Sequence, residues 1–196
     1  VCYHIITRGN QRQRVFNYAY DYNYYLILLR KYKKRWNFKL YGYCLMPNHF
    51  HILVREITEG GTSLFMQKLL TGYAAYFNKC HIRVGGLFQG VFQAQHAHTD
   101  EYLKYLFAYI HLNPVKLVDP KWREEGIRDL SASKSFLTQY PYSSYSDYTG
   151  VGREDGLILS RDSFPGYFSK PKDFEAFLHD WLTFRNFEMD ADTTNT

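Results

Sequence analysis

His49 and His51 stand two residues apart in the run Met46-Pro47-Asn48-His49-Phe50-His51-Ile52, which continues as the apolar Leu53-Val54. Residues two apart on a β-strand point to the same face, so both imidazoles would look one way while Phe50 turns inward. Two imidazoles on one face are half of a metal site, since neutral imidazole nitrogen is a good ligand for first-row ions. The spacing alone fits two ordinary surface histidines equally well. The segments further along the chain tip that balance.

A second chemical stripe lies between residues 99 and 114. Leu103, Leu106, Phe107 and Ile110 mark a buried face at helical spacing, and Tyr102, Tyr105, Tyr109 and Asn113 recur on another. Tyr109 and Asn113 are one turn apart, about 6 Å along a helix axis. A nucleophile and a metal ligand at that spacing could address one phosphate. Pattern alone leaves Tyr102, Tyr105 and Tyr109 all open as the nucleophile. Pro114 disfavours helical geometry at Asn113, which would swing that side chain off the tyrosine face. His96 and His98 repeat the two-residue spacing without the surrounding motif, and read as a polar face beside the site. His111 falls on a different side of the helix from Tyr109 and reads as structural.

The elements needed to position these residues are legible. Cys2 to Thr7 reads as a strand closed by the turn signal Gly9-Asn10. Residues Asp21 to Trp36 read as a helix, Phe38 to Leu45 as a second strand and His49 to Arg55 as a third, with Pro47-Asn48 as the hairpin turn. After a loop over Thr58 to Thr62, Ser63 is placed to cap a helix whose apolar face is Met66, Leu69, Leu70, Tyr73 and Phe77. Val91 to Ala97 reads as a fourth strand, and a third helix starts at Thr99 or Asp100 and stops near Pro114. The order β-α-β-β-α-β-α predicts an α+β, ferredoxin-like (split βαβ) antiparallel sheet with helices on one face and the other face open for a ligand. Residues 119–187 read as a mostly helical C-terminal extension packed on the 1–118 domain, with one clear helix at Lys172 to Phe184. Residues 188–196 read as a disordered acidic tail.

The net charge is +5, and the tail masks part of it with Glu188, Asp190 and Asp192. The densest basic stretch, Arg30-Lys31-Tyr32-Lys33-Lys34-Arg35, is either the solvated face of a helix or a patch that tracks phosphates. Among 19 Tyr and 15 Phe, most rings belong to packing, while some could stack on unpaired bases. Three widely spaced cysteines, Cys2, Cys44 and Cys80, argue against a disulfide framework or a zinc ribbon and make a reduced cytoplasmic setting the default. No apolar run is long enough for a membrane span, and no basic-then-apolar leader precedes the first strand.

The wording Tyr43-Cys44-Leu45-Met46-Pro47-Asn48-His49-Phe50-His51-Ile52-Leu53-Val54 resembles the metal motif of the HUH single-tyrosine transposases. Tyr109-Ile110-His111-Leu112-Asn113-Pro114-Val115 is similar to their nucleophile helix. Thr7-Arg8-Gly9-Asn10 and Gly86-Leu87-Phe88-Gln89-Gly90 resemble one bacterial branch, the REP-associated tyrosine transposases, with a weaker echo at Tyr140-Pro141-Tyr142-Ser143-Ser144-Tyr145. The resemblance implies Tyr109 as nucleophile and His49, His51 and Asn113 as ligands of Mg²⁺ or Mn²⁺. It also implies contacts from Arg8, Gly9 and Asn10 to DNA flanking a hairpin, with Gly9 permitting close backbone approach. Backbone affinity without sequence choice would come from Arg30, Lys31, Lys33, Lys34 and Arg35. The implied activity is single-strand DNA cleavage and transfer at hairpins or palindromic repeats through a 5′-phosphotyrosine, at the bacterial nucleoid. The length of the extension favours a monomer over a homodimer.

Two other readings compete. A ferredoxin-like sheet rich in aromatics could be an RNA-recognition module, but histidines occupy the strand positions where stacking rings would be wanted, and the aromatic signature of that module is absent. A transposase-derived hairpin-binding regulator would share the fold, yet the nucleophile and ligand residues are all present.

Overall fold

The computed structural model describes residues 1–183 apart from Asn37, Pro165 and Ser169. The strands are β1 (Cys2–Arg8), β2 (Phe38–Met46), β3 (His49–Glu56) and β4 (Gln93–Ala97). They form one antiparallel sheet in the order β2-β3-β1-β4. With α1 (Ala19–Arg35) between β1 and β2, and α2 (Gly61–Cys80) between β3 and β4, this is the expected ferredoxin-like arrangement.

The helices α1 and α2 lie together on one face, as the split βαβ pattern requires. Ile5, Phe50, Ile52 and Val54 of the sheet pack there against Tyr25, Leu26 and Leu29 of α1 and Phe65, Met66 and Leu69 of α2. The start of α2 departs from expectation. Gly60, in left-handed backbone, precedes the helix, the Glu56 carboxylate accepts the Thr62 N–H at 3.0 Å, and Ser63 sits inside the first turn rather than capping it. A carboxylate from the preceding strand does the work a side-chain cap would do.

The other face, expected to stay open, is covered. The helix α3 (Asp100–Leu112) crosses it, packing Leu103, Leu106, Phe107 and Ile110 with Cys44, Met46 and Leu53. The extension then closes over α3 through α4 (Trp122–Glu125), α5 (Leu130–Gln139), α6 (Tyr145–Tyr148) and α7 (Pro171–Thr183). Phe174, Leu178 and Leu182 of α7 join the same core. Consequently α3 is buried on nearly all sides, including Tyr105, Tyr109 and His111. The expected end of the last helix at Phe184 and the 188–196 tail lie outside the described residues.

Tyr142 to Ser144 runs along the outer edge of β2. Leu45 N–H donates to Tyr142 O, Ser144 N–H to Tyr43 O, and Tyr43 N–H to Ser144 Oγ. These bonds satisfy an edge that would otherwise be open to pairing with another chain. Under it, a side chain at Gly42 would press on His111, with a Cβ only 3.1 Å from Cε1, so glycine there makes room for the imidazole. No described helix is long and apolar enough to cross a membrane.

Candidate active site

The pleat of β3 turns His49 and His51 toward α3 and Phe50 into the opposite core. His51 is 1% exposed, and its ring centre lies 4.9 Å from that of His49 and 5.2 Å from that of Tyr109. Asn113 donates from Nδ2 to His51 Nε2 at 3.2 Å. The swing expected from Pro114 does not occur. Asn113 keeps φ −56 and ψ −37, and the chain continues from α3 directly into a 3-10 turn over Asn113–Leu117, with the proline at its start. There its missing N–H costs nothing.

Two residues that the sequence did not single out fix the imidazole tautomers. Asn48 Oδ1 accepts from His49 Nδ1 at 2.7 Å, which leaves the His49 lone pair on Nε2. His4, fully buried on β1, bonds through Nδ1 to Gln95 Oε1 at 3.3 Å and through Nε2 to His51 Nδ1 at 3.0 Å. A carbonyl oxygen can only accept, so His4 carries its proton on Nδ1 and accepts at Nε2. His51 must then donate from Nδ1, and its Nε2 lone pair faces Asn113. Burial first, then His49, His4, Lys116 and Arg123, hold the His51 pKa well below 6.5, so the ring stays neutral near pH 7. His4 carries a recognisable signal: one strand from His51 in the sheet order, it shares the face of the pair.

This donor set fits a divalent ion. Two lone pairs on Nε2 and one amide converge, and Asn113 Oδ1 is buried with no hydrogen-bond partner among the described residues. Rotating the amide would turn that oxygen toward His51. Among the described residues no three His, Cys, Asp or Glu side chains are grouped to hold a metal, so any ligand set here needs the amide.

Of the three tyrosines, Tyr109 is in ring contact with His4 and His51 and lines a cleft of about 340 Å³ together with Arg8, Arg12, Asn48, His49 and Lys116. Tyr105 packs against Tyr109 and Trp181, and Tyr102 stacks on His98. His96 pairs with Tyr3, which places it on the opposite face of β4 from Gln95. His96 is therefore turned away from the site, while His98, just past the end of β4, reaches α3 at Tyr102. His111 is structural in position: it donates to Phe107 O, and its Nε2 lies 2.7 Å from Ser144 Oγ of the extension.

Arg8 pairs across from His49 at the end of β1 and reaches the cleft. Gly9 makes a close approach, but to its own chain: a side chain there would strike the Gln13 carbonyl. The Gly86–Gly90 segment frames this loop. Leu87 O accepts from Asn10 N and Gln13 Nε2, and Gln89 N donates to Arg8 O. Gln11 and Arg12 consequently sit at φ 50 and 59, a conformation that costs energy in a non-glycine residue and recurs at functional loops. Arg12 thereby lines the cleft, which the sequence did not predict. The basic run lies elsewhere. It belongs to α1, on the far face of the sheet, and Arg30 there bonds to Glu154 and Asp155 of the extension.

A ferredoxin-like sheet thus brings a histidine pair and an amide beside a tyrosine on a crossing helix. The family model described as "Transposase IS200 like" matches residues 1–113, and the chain belongs to that family. Among solved structures, a REP-associated tyrosine transposase bound to a REP hairpin has the same fold, with a TM-score of 0.56 and 15% identity over 77% of this chain and 80% of that one. No curated protein sequence matches.

Proposed function

We propose that the chain is a metal-dependent endonuclease and strand transferase acting on single-stranded DNA at or beside hairpins, through a covalent 5′-phosphotyrosine on Tyr109. The observation that carries this reading is the convergence of Tyr109, His51 and Asn113 beside a basic cleft. His49, His51 and Asn113 would hold Mg²⁺ or Mn²⁺, whose chemistry there is to polarise the scissile phosphate; the two imidazoles favour Mn²⁺. The Tyr109 phenol oxygen bonds to phosphorus, the bond from phosphorus to the 3′ oxygen breaks, and the phenol proton ends on that released oxygen, which leaves as the 3′ hydroxyl. The phosphodiester energy is kept in the protein–DNA linkage, so the reverse attack by a 3′ hydroxyl needs no nucleotide hydrolysis.

The cleft cations Arg8, Arg12 and Lys116 suit the phosphates of an unpaired flank. The hairpin carried by the structurally similar transposase supports a palindromic DNA as the partner, which would bring the protein to the bacterial nucleoid. Tyr109 and His51 meet within one chain, which favours attack in cis by a monomer.

The test is incubation with end-labelled single-stranded hairpins and Mn²⁺. A covalent protein–DNA band is expected; tight hairpin binding without that band would favour a non-catalytic regulator.

A further inference from the structure

Two cations that face Tyr109 lie beyond residue 113, where the family match ends. The Arg123 guanidinium carbon is 4.2 Å from the centre of the Tyr109 ring, and Lys116 Nζ is 6.0 Å from it. Arg123 belongs to α4 of the extension, and its guanidinium also lies 5.5 Å from the ring of the buried Trp122. Lys116 belongs to the 3-10 turn after α3 and lines the cleft beside His49. Both cations also appear among the charges that hold the His51 proton affinity down, so their field reaches the histidines as well as the tyrosine.

We infer that the extension completes the active site: Arg123, assisted by Lys116, holds the Tyr109 ring and compensates the negative charge that moves from the phenol oxygen to the phosphate during cleavage. This rests on the phosphotyrosine chemistry proposed above. Tyr109 is 1% exposed, so water can do little to stabilise charge on its oxygen, and fixed positive groups are worth more there than in solvent. Arginine suits the position better than lysine. A planar guanidinium can lie on a ring and still direct its N–H edge at phosphate oxygens, whereas an ammonium is a compact point charge. Both side chains keep their protons throughout, so the step itself is unchanged: one phosphorus–oxygen bond forms and one breaks.

Wild type, Arg123→Met, Arg123→Lys and Lys116→Met are compared on one flanked hairpin with Mn²⁺. Three quantities are read: the single-turnover rate of adduct formation at saturating DNA, the hairpin Kd, and the melting temperature. Arg123→Met is expected to slow the adduct roughly 100-fold, with Kd within about threefold, and Arg123→Lys to recover part of that rate. A merely structural arginine would move Kd and melting together with the rate. Lys116 lines an open cleft, so Lys116→Met decides the matter if Arg123→Met does not fold; because it also faces the flank phosphates its Kd is expected to rise, and a drop in the rate at saturating DNA with melting temperature unchanged supports the inference. Wild-type rates in the methionine variants would overturn it alone. Failure of the wild-type chain to form any adduct would overturn the phosphotyrosine reading, and this inference with it.

Discussion

His4 Nε2 lies 3.0 Å from His51 Nδ1, with both rings buried and stacked at 5.1 Å between centres. A residue from the first strand thus sets the tautomer of a residue on the third. Outer-shell partners of this kind typically hold about 10- to 100-fold of metal affinity. His4→Phe keeps the ring volume and removes the acceptor, so it is expected to weaken Mn²⁺ binding by that factor, with adduct formation restored at high Mn²⁺. Calorimetric titration of Mn²⁺ checks this; unchanged affinity in a folded variant would show that His51 does not depend on His4.

Tyr109→Phe is expected to abolish the covalent adduct while hairpin binding stays within a few-fold. In the proposed reaction the oxygen is the nucleophile, whereas the ring keeps its contacts with His51 and Arg123. Tyr105→Phe, whose ring lies behind Tyr109 against Trp181, should still form the adduct. Loss of the adduct in Tyr105→Phe with survival in Tyr109→Phe would reverse the assignment.

His111 gives a pH signature independent of the chemistry. Burial lowers its pKa from 6.5 to about 4, partly opposed by the hydrogen bond to Phe107 O. The unfolded chain takes up that proton below pH 6.5, and the folded chain only near pH 4. Stability therefore rises with pH across this window and is lost as the pH falls through it, by up to about 3 kcal/mol. His111→Gln should melt at a lower temperature near pH 7 yet lose less between pH 6.5 and 4. Parallel melting curves for the two proteins over that range would refute this.

Much of the sheet and its histidines could be read from local pattern, because a period of two and a turn at Pro47-Asn48 are short-range signals. The α3 stripe was legible for the same reason. What covers the open face is not, since nothing near residues 99–114 announces that α3 crosses it or that α7 returns over α3. Arg12 and Arg123 have no sequence signal for a related reason: one enters the cleft through a left-handed loop and the other reaches the Tyr109 ring through a fold-back of the extension. Neither has a periodicity to betray it. The basic run on α1 illustrates the converse, a strong compositional signal that the fold carries to the face away from the cleft.

The two basic regions should behave differently toward DNA. Arg8 and Arg12 line the cleft beside Tyr109, where only an unpaired strand can turn a phosphate inward, because a stacked duplex keeps its backbone outside. Lys31, Lys34 and Arg35 are exposed on α1, beyond the sheet, and can attract any backbone. Arg8→Ala and Arg12→Ala are each expected to weaken binding of a flanked hairpin and lower its salt slope by about one, with little change for blunt duplex. Neutralising Lys31, Lys34 and Arg35 together should weaken hairpin, linear strand and duplex alike. Filter binding of the three DNAs at several salt concentrations separates the cases. Equal losses on duplex and flanked hairpin from Arg12→Ala would remove the cleft from the DNA path, and a wild-type preference for blunt duplex would overturn the single-strand substrate altogether.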